Sequence, residues 1–168
     1  MPEANTDNND EPMTAQQKEA VRNDILQWIG KGYQCGQILL LQFLEHQGKT
    51  NPDLVRAVDS LQGGLGFSGK NCGVLTAAAC VLGLYTGRGP EEESPSEDLI
   101  PLVLQLTDWF EEEFGGRFGG INCEDITNMC FDKEMPLGEA CRDIIAETCL
   151  KLMSLMENNG INVCKGRG

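Results

Sequence analysis

Histidine is almost missing from this chain, with His46 as its single representative, so a two-cysteine, two-histidine zinc site cannot be built. His46 falls at a helix end, where a solvated side chain is expected. Basic residues are also scarce: 13 Lys and Arg stand against 26 Asp and Glu, giving a formal net charge of -13. Such a field repels nucleic-acid backbones and anionic lipid head groups, which argues against both as partners. No CxxC occurs, which removes the thioredoxin-type motif and the zinc ribbon. No stretch shows sustained alternation with β-branched enrichment, so strands are not expected. The longest apolar run, from Cys72 to about Tyr85, contains Gly and Thr and is too short to cross a bilayer. The opening MPEANTDNNDEPMT has neither a basic nor an apolar leader region and reads as a disordered acidic tail over residues 1–14. A cytoplasmic location is the default expectation.

What the chain does have is eight cysteines in 168 residues, with 40% hydrophobic and 23% charged content. That length and composition suit one globular domain with a core of its own. Cytosolic thiols are kept reduced, so the cysteines point to metal or cluster ligation, thiol redox chemistry, or small buried hydrophobes rather than structural disulfides.

Helix signals recur along the chain. Thr14 with Gln17 forms a capping box ahead of an apolar stripe of Val21, Ile25, Trp28 and Ile29, ended by Gly30 and Gly32. A second helix from Tyr33 to Gln47 is apolar nearly all round and should be central. Asn51-Pro52 reads as N-cap and first residue of a third helix, with Leu54, Val55, Val58 and Leu61 inward. Asn71 is placed to cap a fourth, small-residue helix beginning at Cys72, which neighbours can approach closely. Ser94-Pro95-Ser96-Glu97 has the form of a capping box for a helix to Phe114, with Pro101 kinking or restarting it. Between Pro90 and Phe114 there are nine acids and no Lys or Arg, a solvated face or a docking surface for a basic partner. An irregular segment with Cys123 and Cys130 precedes a long last helix, opened by Pro136, striped by Leu137, Cys141, Ile144, Ile145, Thr148, Leu152, Leu155 and Met156, and closed by Asn158-Asn159-Gly160. The expected architecture is all-α: a single-domain bundle of five or six helices over residues 15–158, with a flexible tail at 159–168.

The stretch GGLGFSGKNCG, residues 63–73, matches both a G-x-G-x-x-G and the GxxxxGK of a P-loop. Both motifs need a buried strand before the helix. Leu54 to Gln62 has helical spacing instead, Asn71 stands where a P-loop carries Ser or Thr, and no Walker B strand follows. The same glycines suit the presentation of Cys72. A thiol in the first turn of a helix, two residues after Lys70, is expected to favour the thiolate, which makes Cys72 the candidate reactive thiolate.

With no local pair, any shared site must be assembled by folding. Cys35 lies on the inward face of the second helix, Cys72 begins the fourth, Cys141 lies in the stripe of the last, and Cys123 follows a glycine-rich connection. Cys80 and Cys149 each sit eight residues past another cysteine, about 12 Å further along a helix axis, too far to share its site. Cys130 and Cys164 lie in loop and tail.

In these features the chain resembles the C-GCAxxG-C-C family of redox-active proteins. The resemblance is carried by Gly32-Tyr33-Gln34-Cys35-Gly36-Gln37, Gly63-Gly64-Leu65-Gly66, Cys72-Gly73-Val74-Leu75-Thr76-Ala77, Val81-Leu82-Gly83-Leu84, Trp109 to Gly115, and then Cys123 and Cys141, together spanning about residues 17–155. Val74 and Ala77 depart from the family core, where Ala and Gly stand. The resemblance implies a small helical redox protein of mainly anaerobic microbes, served by an unidentified redox partner protein. Cys35, Cys72, Cys123 and Cys141 would ligate an iron–sulfur cluster or cycle between dithiol and disulfide. The alternative is a non-catalytic helical module with a structural zinc on the same thiolates, or a protein-interaction role. No CxxCH exists, so covalent haem is not expected. Cys80, Cys130, Cys149 and Cys164 lie outside the four-cysteine pattern. The small-residue helix would also permit close packing in a homodimer.

Overall fold

In a computed structural model, which describes residues 14–130 and 137–167, the chain is helical, and no strand is present among the described residues. Thr14 opens α1 (Ala15–Gly30) through the expected capping box: its hydroxyl accepts from the Gln17 amide at 3.3 Å, and the Gln17 side chain accepts from the Thr14 N–H at 3.0 Å. The central helix is α2 (Cys35–His46), where Ile38, Leu39, Leu40 and Phe43 are wholly buried. It packs against α1, α3 (Pro52–Asp59), α4 (Gly73–Thr86) and α7 (Glu139–Asn158), so an all-round apolar surface is matched by neighbours on every side. Asn51 caps α3 by accepting from the Leu54 amide at 3.1 Å, which turns Val55 and Val58 inward. None of the described helices is long and apolar enough to cross a membrane.

Several boundaries differ from the sequence reading. Helix α5 (Leu99–Phe110) starts at Leu99 rather than near Ser94. A start at Ser94 would leave Pro101 in the helix interior, clashing with the carbonyl four residues earlier; the later start puts it in the first turn, where its missing N–H has no partner to lose. The helix then runs through a π-helical turn (Glu111–Gly115) into a short turn at Gly116–Phe118. The segment expected to be irregular holds a further helix, α6 (Cys123–Thr127), fixed by an Asn122/Asp125 capping box in which the Asn122 N–H meets Asp125 at 3.0 Å. The described residues therefore hold seven α-helices of five residues or more, not five or six. Helix α7 begins at Glu139, while Pro136 and the tail through Met13 lie outside the described residues.

The C-terminal segment, expected to be a free tail, lies against the body. Tyr85 donates to the Val163 carbonyl at 2.7 Å, and Arg167 reaches the carbonyls of Thr86 at 2.8 Å and Gly87 at 2.6 Å while pairing with Glu93 at 2.9 Å.

Helices α2 and α4 meet through residues that have little or no side chain. A β-carbon on Gly36 would lie 3.2 Å from both the Ala77 Cβ and the Gly73 carbonyl oxygen. One on Gly73 would lie 2.7 Å from the Leu61 carbonyl oxygen and 3.0 Å from the Cys35 sulfur. Interiors packed this tightly respond to a single added methyl. Gly73→Ala should therefore lower stability by about 1–3 kcal/mol in urea unfolding. Gly83→Ala, in the same helix but with nothing near its missing β-carbon, should raise it by about 0.5–1 kcal/mol. Equal effects at the two positions would contradict the packing account.

Candidate functional site

The glycine-rich stretch winds as a left-handed coil. Residues 63–67 all have positive φ, at 63°, 68°, 63°, 62° and 61°, and Gly69 follows at 75°. A β-carbon on Gly64 would lie 2.3 Å from the Lys70 carbonyl oxygen, so that position accepts only glycine. Leu65 and Phe67 adopt the same left-handed conformation, which is strained for residues with a side chain. The loop amides turn inward: Gly66 to Ser60 at 3.0 Å, Phe67 to Gln62 at 3.1 Å, Gly69 to Gly63 at 3.0 Å and Lys70 to Gly64 at 3.2 Å. A phosphate cradle needs those N–H groups turned towards the anion, and the segment before it, α3, is a helix and not a strand.

What the coil delivers is a backbone splice. Asn71 pairs antiparallel with Asn122, the Cys72 N–H donates to Ile121 at 3.2 Å, the Cys123 N–H to Lys70 at 2.7 Å, and the Glu124 N–H to Gly69 at 3.1 Å. Two segments 51 positions apart are thus joined at their cysteines. Cys72 itself, rather than Asn71, occupies the N-cap of α4, and Gly73 is the first helical residue. Cys35 is the first residue of α2, Cys123 the first of α6, and Cys141 the third of α7. All four stand at a helix start.

The same four sulfurs act on one another. Burial pushes the Cys35 thiol up to about 11, the amides of Gly36 and Gly63 oppose this, and Cys123 adds to it. Burial, then the neighbouring Cys35, with Cys141 adding, pushes Cys72 up to about 12 against the amides of Val74 and Leu75. Cys141 rises to about 12 through burial, Cys35 and Cys123. Burial also raises Cys123, but the Thr127 hydroxyl, 3.9 Å from its sulfur, works in the opposite direction. Four segments thus bring the predicted cysteines within electrostatic reach of each other.

The expectation that Cys72 is a ready thiolate is corrected by these surroundings. The helix-start amides do lower its pKa, as expected. Burial and the nearby thiols outweigh them, and Lys70 is exposed. Left alone, the four thiols are neutral at neutral pH. All eight cysteines are free; Cys149 is wholly buried and pushed up to about 12 by burial and Asp24, whereas Cys80, Cys130 and Cys164 are exposed. Among the described residues, no three His, Cys, Asp or Glu side chains are already drawn round one point as a single metal ion would need. Thiols are the donor type that soft metals and iron–sulfur clusters take.

Sequence reasoning did not find Asn122 and Thr127. Asn122-x-x-Asp125 was a legible capping signal, but the pairing of Asn71 with Asn122 is a long-range backbone event with no local pattern.

Because these folded-state pKa values lie above the ordinary 9.0, the unfolded chain releases its thiol protons first as pH rises. The stability contributed by the buried thiols is whole below about pH 9 and is lost as pH climbs towards 11–12. Reduced, metal-free protein should show urea midpoints that fall across that window, and Cys72→Ala should make the fall shallower. An unchanged slope in the variant would show that Cys72 is not held protonated by burial.

No curated protein and no solved structure matches the chain. The family model described as "Putative redox-active protein (C_GCAxxG_C_C)" matches residues 33–155, well over half of the 168 residues and a span that includes Cys35, Cys72, Cys123 and Cys141. The chain belongs to this redox-active protein family.

Proposed function

We propose that Cys35, Cys72, Cys123 and Cys141 form one redox centre that holds an iron–sulfur cluster. The observation that carries this reading is the mutual influence of four thiols, of which Cys35, Cys72 and Cys123 are buried and Cys141 is partly so. Protons keep such a set neutral in the metal-free chain; iron would replace those protons, since a coordinating thiol is deprotonated outright. When bound, the cluster supplies one-electron transfer. The chain's own part is to desolvate the sulfurs and to aim backbone amides at them, those of Gly36 and Gly63 at Cys35 and of Val74 and Leu75 at Cys72. Hydrogen bonds to ligating sulfur and exclusion of water are the levers that set a cluster's potential. A group with more than one iron would not require the four sulfurs to meet at one point, as a single zinc would.

A dithiol–disulfide couple is the second reading, favoured by Cys35 being the neighbouring side chain that acts most on Cys72. Those two thiols would lose two protons and two electrons to form one S–S bond, reducing a partner disulfide to its dithiol. It ranks second because thiols held near 11 and 12 offer little thiolate for exchange. In either reading the acidic run from Pro90 to Phe114 offers a face to a basic redox partner. The exposed thiols Cys80, Cys130 and Cys164 suit a reducing cytoplasm.

Anaerobic purification with iron and acid-labile sulfide analysis tests the proposal. A cluster predicts stoichiometric iron and sulfide with absorbance at about 400 nm, lost when any of the four cysteines becomes serine and kept in Cys80→Ser and Cys164→Ser. Zinc without iron would overturn the redox reading. Neither metal, with a thiol count that drops by two on mild oxidation, would favour the Cys35–Cys72 couple.

A further inference from the structure

The start of α2 serves two places. Cys35 lays its sulfur against Gly73, whereas Tyr33 and Gln37, two positions to either side, wall an open cavity of about 650 Å³ between α1, α2 and α3. Pockets for organic ligands span roughly 300–1,000 Å³ and combine apolar walls with a few fixed polar groups. Here the apolar walls include Trp28, Tyr33, Leu41, Leu44 and Val55, and the buried polar group is Gln37. Its amide donates to the Val55 carbonyl at 3.2 Å and accepts from the Gln34 N–H at 3.1 Å, so α2 and α3 are held apart at a fixed spacing without an occupant. At one end two rings are set by the backbone. Gly32, at φ 87°, turns the chain so that the Tyr33 N–H donates to the Trp28 carbonyl at 3.2 Å. The rings then meet edge to face, 5.6 Å and 76° apart. The Lys31 ammonium, which is not part of the cavity wall, lies 4.1 Å from the centre of the Trp28 ring. Four charged side chains line the cavity. Arg56 is paired with Asp53 at 2.5 Å, and Asp59 accepts from Gln62 at 3.0 Å, while Lys49 and Glu45 have no such partner among the described residues.

We propose that this cavity binds a flat aromatic molecule carrying one negative charge, of the aromatic carboxylate or sulfonate class. Two rings crossed at nearly a right angle make a corner where a third ring stacks on one and meets the edge of the other, the arrangements aromatic rings prefer. An aliphatic chain would gain only buried area there. Lys31 already brings a cation to Trp28, so a second cation is repelled at that end. An anion instead draws on Lys31 and on Lys49, the unpaired cation of the lining. Glu45 opposes a second negative charge, and the net charge of -13 adds to that limit, which excludes polyphosphate ligands. Binding there needs neither a cluster nor a disulfide, yet it sets the occupant against the turn that carries Cys35.

Equilibrium dialysis of the full chain against anthraquinone-2-sulfonate, read by absorbance, tests the proposal. The expected result is saturable binding of one molecule per chain, not displaced by an equal concentration of octanesulfonate. Trp28→Leu, which keeps apolar volume but removes the ring, should weaken binding by about three- to tenfold. Lys49→Gln, at an exposed position, should weaken it by about two- to fivefold at low salt and by less at high salt. Absence of saturable binding to the unaltered protein would overturn the proposal, as would displacement by octanesulfonate, and neither result needs a variant to fold. Unchanged affinity in natively folded Trp28→Leu and Lys49→Gln proteins would place the probe elsewhere and overturn it too.

Discussion

Helices α2 and α4 touch backbone to backbone across Gly36, Gly73 and Ala77, and the rest of the site is set by that contact. Because Gly73 has no side chain, the Cys35 sulfur fits against it, at the residue that follows Cys72. A bulkier residue would part the two helices, and with them two thiols that start on different elements. The left-handed coil of residues 63–67 then carries the chain from α3 to the start of α4 in a few residues, and its exit pairs with the segment bearing Cys123. Packing, turn geometry and one isolated backbone pairing thus draw together cysteines that no local CxxC joins.

The chemistry follows from the dryness of that meeting point. Burial favours the neutral thiol, whereas amides at the helix starts favour the thiolate. In the metal-free protein burial prevails. A bound soft metal would reverse the balance, because its charge is larger than any partial charge the amides supply. The amides then become fixed stabilisers of thiolates that are already formed. This division of roles explains why a family described by its redox activity has cysteines that look inert when considered one at a time.

Much of this was legible in the sequence, and what was not has a physical cause. The central helix could be read from its unbroken apolar run, and α1 and α3 from Thr14 and Asn51, because those signals are local. The choice of Cys35, Cys72, Cys123 and Cys141 rests on helix face and family resemblance, and their joint role stays a proposal. The reactivity of Cys72 was misjudged because a helix-start position is visible in sequence, whereas the desolvation that opposes it depends on segments from Cys35 to Cys141. The delayed start of α5 was written in Pro101, but Ser94-Pro95 offered a competing cap. The Asn71–Asn122 pairing and the Thr127 contact depend on a long-range approach that no short pattern encodes.

The central claim is that four distant cysteines share one site, and a short bifunctional thiol reagent tests it most directly. Reduced, metal-free protein treated with dibromobimane and mapped by peptide mass spectrometry should yield cross-links drawn from Cys35, Cys72, Cys123 and Cys141, with Cys35–Cys72 among them. Cross-links that instead join these residues to Cys80, Cys130, Cys149 or Cys164, or no cross-link within the four, would contradict the account.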